Sequence, residues 1–276
     1  MSRIISFYFL CFMLFMALSG CSGSGESTEG DVMLATDSVE ETGSFKKSNG
    51  EVCQMKVKLV VSYPQSYKDS SSVNELKKLF VQSVLNSTED VVDVKEAMRL
   101  YAKSIISRNT PTGNNSSAAD SIVDEIDIDR FELTMNVKAV HNSNGLISFC
   151  KEEGIDKNGH RTSTSHHYVN FDLKEMKRVT LADLFRDDCI EKLTAALKEK
   201  LMDDQGASNE DELNDLGYFN LPNLTVTNNF FFTSRGITWS YDASVIAVES
   251  VGEPTINIDY DDLEQFQCEN SILKRL

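Results

Sequence analysis

A cysteine near the start of the chain carries the clearest chemical signal in the sequence. Residues 18–21 read LSGC and close an apolar run that begins at Ile4, behind the basic residue Arg3. A short apolar segment that ends on small residues before a cysteine is typical of a lipoprotein signal peptide. We therefore predict a signal peptide over residues 1–20, cleavage between Gly20 and Cys21, and attachment of palmitate-type lipid to Cys21. The apolar run is shorter than the roughly 20 residues of a spanning helix, so the lipid would be the membrane anchor.

Four further cysteines lie in the predicted mature chain. Their even number permits two disulfides in an exported protein, in any of three pairings, and buried free thiols are an equal alternative. No two of them have the C-x-x-C spacing of a zinc site or a redox dithiol, so neither chemistry is indicated. The disulfide candidates are Cys53, Cys150, Cys189 and Cys268.

Other patterns that could support catalysis or metal binding are weak. His166 and His167 are adjacent, and in a strand they would point to opposite faces and could not chelate one metal. The acidic runs at 124–129 and 203–212 lack the spacing of a calcium loop. The sequence contains neither a nucleophile elbow nor a phosphate-binding loop. We expect no metal, no cofactor and no enzymatic activity, although paired carboxylates from distant positions would leave no mark on one sequence.

Aromatic residues are concentrated in the last fifty positions. Residues 230–232 are three phenylalanines, and Trp239, Tyr241 and Tyr260 follow. Alternation along strands should bury about half of them, and the others could form a rim for sugar rings or for a protein partner. Our candidate ligand-binding residues are Trp239, Tyr241 and Glu249.

The formal net charge of −16 limits the kinds of partner. Repulsion between like charges argues against nucleic acid and against anionic lipid head groups as ligands. A cationic protein is electrostatically favoured, whereas a merely solvated acidic surface is the simpler interpretation.

The first half of the mature chain should contain a tether and then a small α/β lobe. Residues 21–50 are rich in Ser, Gly, Thr and acids, which predicts a flexible, disordered tether. A strand should run from Cys53 to Val61 and stop before Pro64, because apolar residues alternate there. Helical spacing of apolar residues predicts two helices, over 73–84 and 94–105, and residues 109–121 should form a loop.

The sequence of the second half of the mature chain predicts a hairpin, one long helix and several late strands. Turns are expected at 142–145 and 156–159, and a helix over 183–202 should be capped by Asp187 or Asp188. The acidic stretch 203–215 should be a loop with a short helix. The fold class is α+β, with largely antiparallel sheets in a two-lobed ectodomain divided into residues 51–142 and 143–276. The late strands should span 224–232, 236–241, 244–251 and 255–260.

An ordered series of short motifs runs through the second half of the chain. The motifs are FDL at 171–173, VTLADLF at 179–185, FT at 232–233, GI at 236–237, Tyr241, Gly252, INIDY at 256–260 and Leu263. Together they resemble the domain of unknown function 3298 family, which forms the C-terminal domain of RsiV-type lysozyme-sensing anti-sigma factors and accompanies a peptidoglycan deacetylase domain in some secreted enzymes. The resemblance covers about residues 150–266, and residues 53–142 look like the smaller α/β domain that often precedes it.

The chain departs from that family in one run. Members commonly show Y-x-I-A-P-Y-A-x-G before the last strand, whereas residues 245–252 here read VIAVESVG, without the proline and the second tyrosine. The resemblance implies an envelope lipoprotein that recognises a protein or glycan ligand, with lysozyme-like hydrolases or peptidoglycan as candidates. The alternatives are a passive structural or assembly lipoprotein and a cell-wall hydrolase. Ser22 after the lipidated cysteine suits the outer membrane in a Gram-negative host.

Overall fold

The computed structural model describes residues 32–47, 50–88, 91–110, 128–221 and 224–276. The predicted signal peptide, Gly20 and Cys21 lie outside the described residues, as does most of the predicted loop at 109–121. The described chain is α+β, as expected, with two sheets that are mostly antiparallel. None of its helices combines the length and the apolar character that crossing a membrane would require.

The larger sheet has six strands in sequence order, β1 to β6. All neighbouring pairs are antiparallel except β2 and β3, which are parallel. A parallel pair needs a long crossover connection, and the two helices α1 and α2 lie in this one. The bounds are β1 Met33–Lys46, β2 Val52–Ser66, α1 Ser70–Val84, α2 Val94–Arg108, β3 Arg130–Ser143, β4 Leu146–Lys157, β5 His160–Asp172 and β6 Lys177–Val179.

The two helices begin at defined caps and cover one face of the sheet. The carboxylate of Asp69 accepts a hydrogen bond from the Ser72 amide at 2.8 Å, and that of Asp93 accepts from the Glu96 amide at 3.1 Å. Such caps satisfy amides that the first turn of a helix leaves unpaired. Buried side chains of both helices, with Phe80 fully buried, then pack against the odd-numbered residues of β2 to β5 in one hydrophobic core.

Two Asn-Gly turns connect β3 to β4 and β4 to β5. Asn144 and Gly145 have φ of 57° and 74°, and Asn158 and Gly159 have φ of 52° and 84°. Positive φ at both central residues is the requirement of a type I′ turn, which matches the twist of a tight hairpin. Both turns lie within the predicted segments.

A second core lies on the other face of β4 and β5. It is built from the smaller sheet, whose strands are ordered β7-β8-β9, and from the helices around it. Strand β7 lies across β4 and β5: the Asn170 amide donates to the Phe230 carbonyl at 2.7 Å, and Tyr168 stacks on Phe231. The bounds are α3 Ile190–Gln205, α4 Glu210–Asp215, β7 Phe230–Phe232, β8 Gly236–Ser240, β9 Thr255–Asp259 and α5 Tyr260–Leu263.

The predicted tether and lobe boundary need correction. Strand β1 occupies Met33–Lys46, so this half of the predicted tether is ordered; its polar residues alternate with inward-facing ones such as Val39 and Phe45. The predicted boundary at 142/143 falls inside the β3–β4 hairpin, which is paired along its length. The two parts therefore share one sheet, and the division lies between its two faces.

Three predicted element boundaries and one predicted strand were also wrong. Strand β2 continues through Pro64 to Ser66, where β3 no longer pairs with it and a residue without an amide proton is tolerated. Helix α3 begins at Ile190 after two 3₁₀ turns, and its N-cap is Cys189, with no side-chain cap. Residues 244–251 form turns and a short 3₁₀ helix where a strand was predicted, and β7 is limited to Phe230–Phe232.

The 3₁₀ turn at Leu181–Asp183 yields a pH-dependent prediction. The Asp183 carboxylate accepts bonds from the Thr180 amide and hydroxyl and from Lys177. Burial raises the pKa of Asp183, but these bonds outweigh it and lower the pKa below its usual value of 3.8. The stabilisation is therefore complete above pH 3.8 and is lost as the pH falls through the lowered pKa. Asp183→Asn should cost about 1 kcal/mol of unfolding free energy at pH 7, because it replaces charge-assisted hydrogen bonds with neutral ones.

Urea unfolding of the wild type and Asp183→Asn between pH 7 and pH 3 would test this prediction. The difference between them should shrink at the acidic end of the series. Asp188→Asn is the matched control, because its exposed carboxylate forms a surface ion pair with Arg186. A difference that stays constant with pH would contradict the role given to the Asp183 charge.

Candidate functional site

An exposed apolar patch lies where two chain segments meet on the domain of the smaller sheet. Its members are each between 37% and 51% exposed, although the second core lies directly beneath them. Large apolar side chains are common singly on a protein surface, but a contiguous group of them indicates an interaction site. We call this group the valine patch, and it consists of Leu216, Phe219, Val245, Val248 and Val251.

Backbone hydrogen bonds hold the two segments together. The Phe219 amide donates to the Ile246 carbonyl at 3.0 Å, and the Val248 amide donates to the Gly217 carbonyl at 2.8 Å. Tyr218 and Ala247 form an isolated bridge, and both are buried. The inward residues thus anchor the segments, while the patch residues remain on the outside.

Gly217 allows the two segments to approach closely. Its φ is +92°, and a Cβ at this position would lie 2.9 Å from Cγ2 of Val248 and 3.4 Å from Cγ2 of Val251. A glycine with positive φ therefore meets both the backbone and the packing requirement. The valine side chains rest on the bare glycine backbone.

The margin of the patch is acidic. The segments 210–220 and 242–253 together contain seven carboxylates and no Lys, Arg or His. Glu249, which lies between Val248 and Val251, is exposed, as are Asp215 and Asp242. A negative field around an apolar centre suits a partner with a basic surface.

A cleft of about 380 Å³ borders the patch at Glu249. Its wall includes His166, whose Nδ1 lies 2.6 Å from Oε2 of Glu253 and whose Nε2 lies 3.8 Å from Oε2 of Glu152. Arg161 and Gly252 also line the cleft. His166 is thus held between two carboxylates and is oriented as part of a polar network.

His166 and His167 project to opposite faces of β5, as predicted. His167 lines a different cleft, on the side of the helices. Throughout the described ranges, no three His, Cys, Asp or Glu side chains are grouped closely enough to hold a metal ion.

Two of the three candidate ligand-binding residues lie in the core. Trp239 is fully buried in β8, against Phe185 and Phe230. Tyr241 is buried and its hydroxyl donates to the Thr225 carbonyl at 3.0 Å; burial raises its pKa well above the usual range. Their placement at a ligand surface was wrong, because the second core needs its largest aromatics inside. Glu249 alone is exposed, at the border of the patch and the cleft.

The four disulfide candidates are free thiols in the structure. Cys53 and Cys189 are buried, and Cys150 and Cys268 are half-buried. Cys53 belongs to a small third core, whereas Cys189 is the N-cap residue of α3 and lies in the second core. Burial raises the pKa of Cys53 and of Cys150, which disfavours the reactive thiolate.

The valine patch was not predicted from the sequence. The run 244–251 was interpreted as a strand, which would have buried alternate residues. Val245, Val248 and Val251 instead recur at every third position, which places them on one side of a turn and 3₁₀ segment. This spacing was the available signal.

Comparisons with known proteins agree with the predicted resemblance. Residues 182–261 match the family model described as protein of unknown function (DUF3298), and they include both segments of the patch. A DUF3298 family structure from Bacteroides fragilis superposes with a TM-score of 0.66 at 20% identity, covering 89% of this chain and 98% of that one. A second, from Pseudomonas aeruginosa, has a TM-score of 0.54 at 16% identity, covering 87% and 97%. No curated protein matches the chain.

Gly217 generates a prediction about how the patch is built. Gly217→Ala should destabilise the protein by roughly 1–3 kcal/mol, because alanine is strained at positive φ and its Cβ would crowd Val248. Gly206→Ala, at the C-cap of α3, is the matched control, since its φ is also positive, at +67°, but a Cβ there would meet no atom of a non-neighbouring residue within 4 Å.

Thermal unfolding of both variants separates strain from crowding. The Gly217 variant should have the lower melting temperature of the two. Equal melting temperatures would show that the close approach of the valines contributes nothing.

Proposed function

We propose that this protein, whose residues 182–261 form a DUF3298 domain, is a non-enzymatic lipoprotein of the bacterial cell envelope that recognises a cationic protein. The observation that carries the proposal is the valine patch with its acidic margin. Apolar side chains at the centre of an interface supply most of the affinity, and surrounding charges set the partner and the rate of encounter. The lysozyme-like hydrolases implied by the family resemblance are cationic proteins of this kind, so C-type lysozyme is the first ligand to test.

The charge of the whole chain supports the same partner. The chain has 43 acidic and 27 basic residues, and every charged residue in the two segments of the patch is acidic. Such a field speeds association with a basic protein and weakens as salt screens it. Glu249 lies where it would contact the margin of a bound partner.

The same patch also supports a second candidate role, as a structural or assembly lipoprotein. In that role a permanent neighbour would cover the patch, and the complex would survive purification. Recognition of a soluble ligand differs in being reversible and dependent on salt. A cell-wall hydrolase has less support. Glu249 and Glu253 line an open cleft, and the Glu253 carboxylate is already paired with the imidazole of His166.

Calorimetric titration of the mature lipoprotein in non-ionic detergent tests the recognition role. C-type lysozyme should bind saturably, and Val248→Asp should weaken binding about tenfold, because a charge at an interface core must be desolvated. Val140→Asp is the matched control, since Val140 is a similarly exposed valine on β3, away from the patch.

Salt and a second ligand complete the design. Raising the salt concentration from 50 to 500 mM should weaken binding of lysozyme by wild type and by Val140→Asp. Soluble peptidoglycan fragments are the second titrant. Equal affinities of Val248→Asp and Val140→Asp for lysozyme would refute the patch as the binding surface.

The predicted lipid anchor has its own test. Cells expressing the full chain should incorporate radiolabelled palmitate into the wild-type protein, and Cys21→Ser should abolish the label because the thiol is the acylated group. The variant should also keep its unprocessed signal peptide. Cys53→Ser is the control, since that thiol is buried in the fold, and labelling of Cys21→Ser would exclude Cys21 as the attachment site.

A further inference from the structure

A groove of opposite charge lies on the other face of β4 and β5. It consists of two clefts, of about 640 Å³ and 290 Å³, which share Asn86 and Lys151 along their walls. The larger cleft lies between the ends of α1 and α2 and strand β4, and the smaller one continues over β5. We call this surface the basic groove, and its described charged and amide residues are Asn86, Arg108, Lys151, Glu153, Arg178, Asn228 and Asn229.

The carboxylate of the groove is already neutralised. Oε2 of Glu153 lies 3.0 Å from Nζ of Lys151, and Oε1 of Glu153 accepts a hydrogen bond from the Tyr101 hydroxyl at 3.0 Å. Burial raises the pKa of Tyr101 well above its usual range, and the adjacent carboxylate adds to this effect, so the hydroxyl keeps its proton. Among the described residues that line the two clefts, Glu153 is the one carboxylate.

The remaining charges of the groove are positive. Arg178 is exposed on β6, and within the ranges that the structure describes it makes no ion pair. Arg108 is exposed, and its Nε donates to the carbonyl of Ser104 in its own helix at 3.4 Å, with no ion pair to another described residue. In a chain with a net charge of −16, a surface that places two arginines and a lysine beside one paired carboxylate favours an anionic ligand.

The neutral lining consists of amides and hydroxyls. Ser83, Asn86, Ser104 and Asn228 supply groups that can both donate and accept hydrogen bonds. Exposed apolar surface is small there, because Leu100 is the one large apolar side chain that is exposed among the described residues of the lining. Such a surface suits a ligand with many hydroxyls better than an apolar peptide or a lipid chain.

The strand edges in the groove are closed to an extended peptide. β4 is paired on both sides, with β3 and β5. Beyond the end of β6, the side chain of Asn229 forms the hydrogen bonds to β5 that a neighbouring strand would form. Its Oδ1 accepts from the Tyr168 amide at 2.9 Å, and its Nδ2 donates to the His166 carbonyl at 3.0 Å. Peptides that add to a sheet need free backbone groups, and here the described edge offers none between His166 and Tyr168.

We propose that the basic groove binds an acidic oligosaccharide. A sugar carboxylate pairs with Arg178 near Lys151, and sugar hydroxyls bond to the amide and hydroxyl groups along the walls. The site is independent of the valine patch, because it lies on the opposite face of the sheet and has the opposite charge.

The test uses the mature lipoprotein in detergent with hexagalacturonate, which carries one carboxylate on each sugar. Binding should be saturable and should weaken as salt is raised. Cellohexaose, a neutral sugar of the same length, should bind at least about tenfold more weakly, as expected when a charge-assisted contact is lost. Hexaglutamate, which has the charge but no sugar, should also bind at least about tenfold more weakly, because it lacks the hydroxyls that fit the lining.

Two variants keep the test independent of folding defects. Arg178→Glu should lower the affinity for hexagalacturonate at least about tenfold, while the exposed Arg235→Glu, outside the groove, should not change it. Glu153→Gln removes the negative charge at similar size, so it should strengthen binding about threefold, a gain that misfolding cannot produce.

Three results would overturn the proposal. Hexaglutamate binding as tightly as the acidic sugar would show that charge alone is recognised. An unchanged affinity in Arg178→Glu would place any binding elsewhere on the protein. Absence of binding to hexagalacturonate by the wild type would exclude this class of ligand, and none of these outcomes bears on lysozyme recognition by the valine patch.

Discussion

The structure depends on the burial of both faces of the paired strands β4 and β5. Ile147 and Phe149 enter the core under α1 and α2, whereas Leu146 enters the core around β7 to β9. Because successive side chains of a strand alternate between faces, these two strands can hold two separate cores with one backbone. Two hydrogen bonds from buried side chains join β7 to these strands: the Ser148 hydroxyl accepts from the Phe232 amide at 3.3 Å, and the Asn170 side-chain amide donates to the Phe230 carbonyl at 2.7 Å.

The same alternation of side chains places different charged residues on the two faces of the sheet. Beyond the buried parts of β4 and β5, Glu152 and His166 face the side of the valine patch, and Lys151 and His167 face the basic groove. A shift of register by one residue would exchange the two sets. The Asn-Gly turn at residues 158–159 and the irregular pairing near Ile155 set this register, so short turn sequences determine which charges lie on which face.

Local patterns in the sequence predicted α1, α2, both Asn-Gly turns and β8, because each of these depends on residues close in the chain. Strand β1 was missed because its polar composition resembles a tether, and its order comes from pairing with β2 along its whole length. Trp239 and Tyr241 were assigned to a ligand site although tertiary packing buries them. The spacing of the valines in 245–251 indicates one side of the valine patch, but neither the complete patch nor the basic groove follows from the sequence, because each combines residues from segments distant in the chain.

The run at residues 245–252 is where this chain departs from the common pattern of the family that it resembles. In this chain the run lacks the proline and the second tyrosine of the common family pattern, and three of its residues, Val245, Val248 and Val251, are exposed. Ile246 and Ala247 remain buried, so the anchor of the segment is separate from its outer surface. Substitution on the outer side changes the exposed surface without disturbing the core beneath it. Members of one fold family can therefore present different surfaces at this position, and here the surface is aliphatic with an acidic margin.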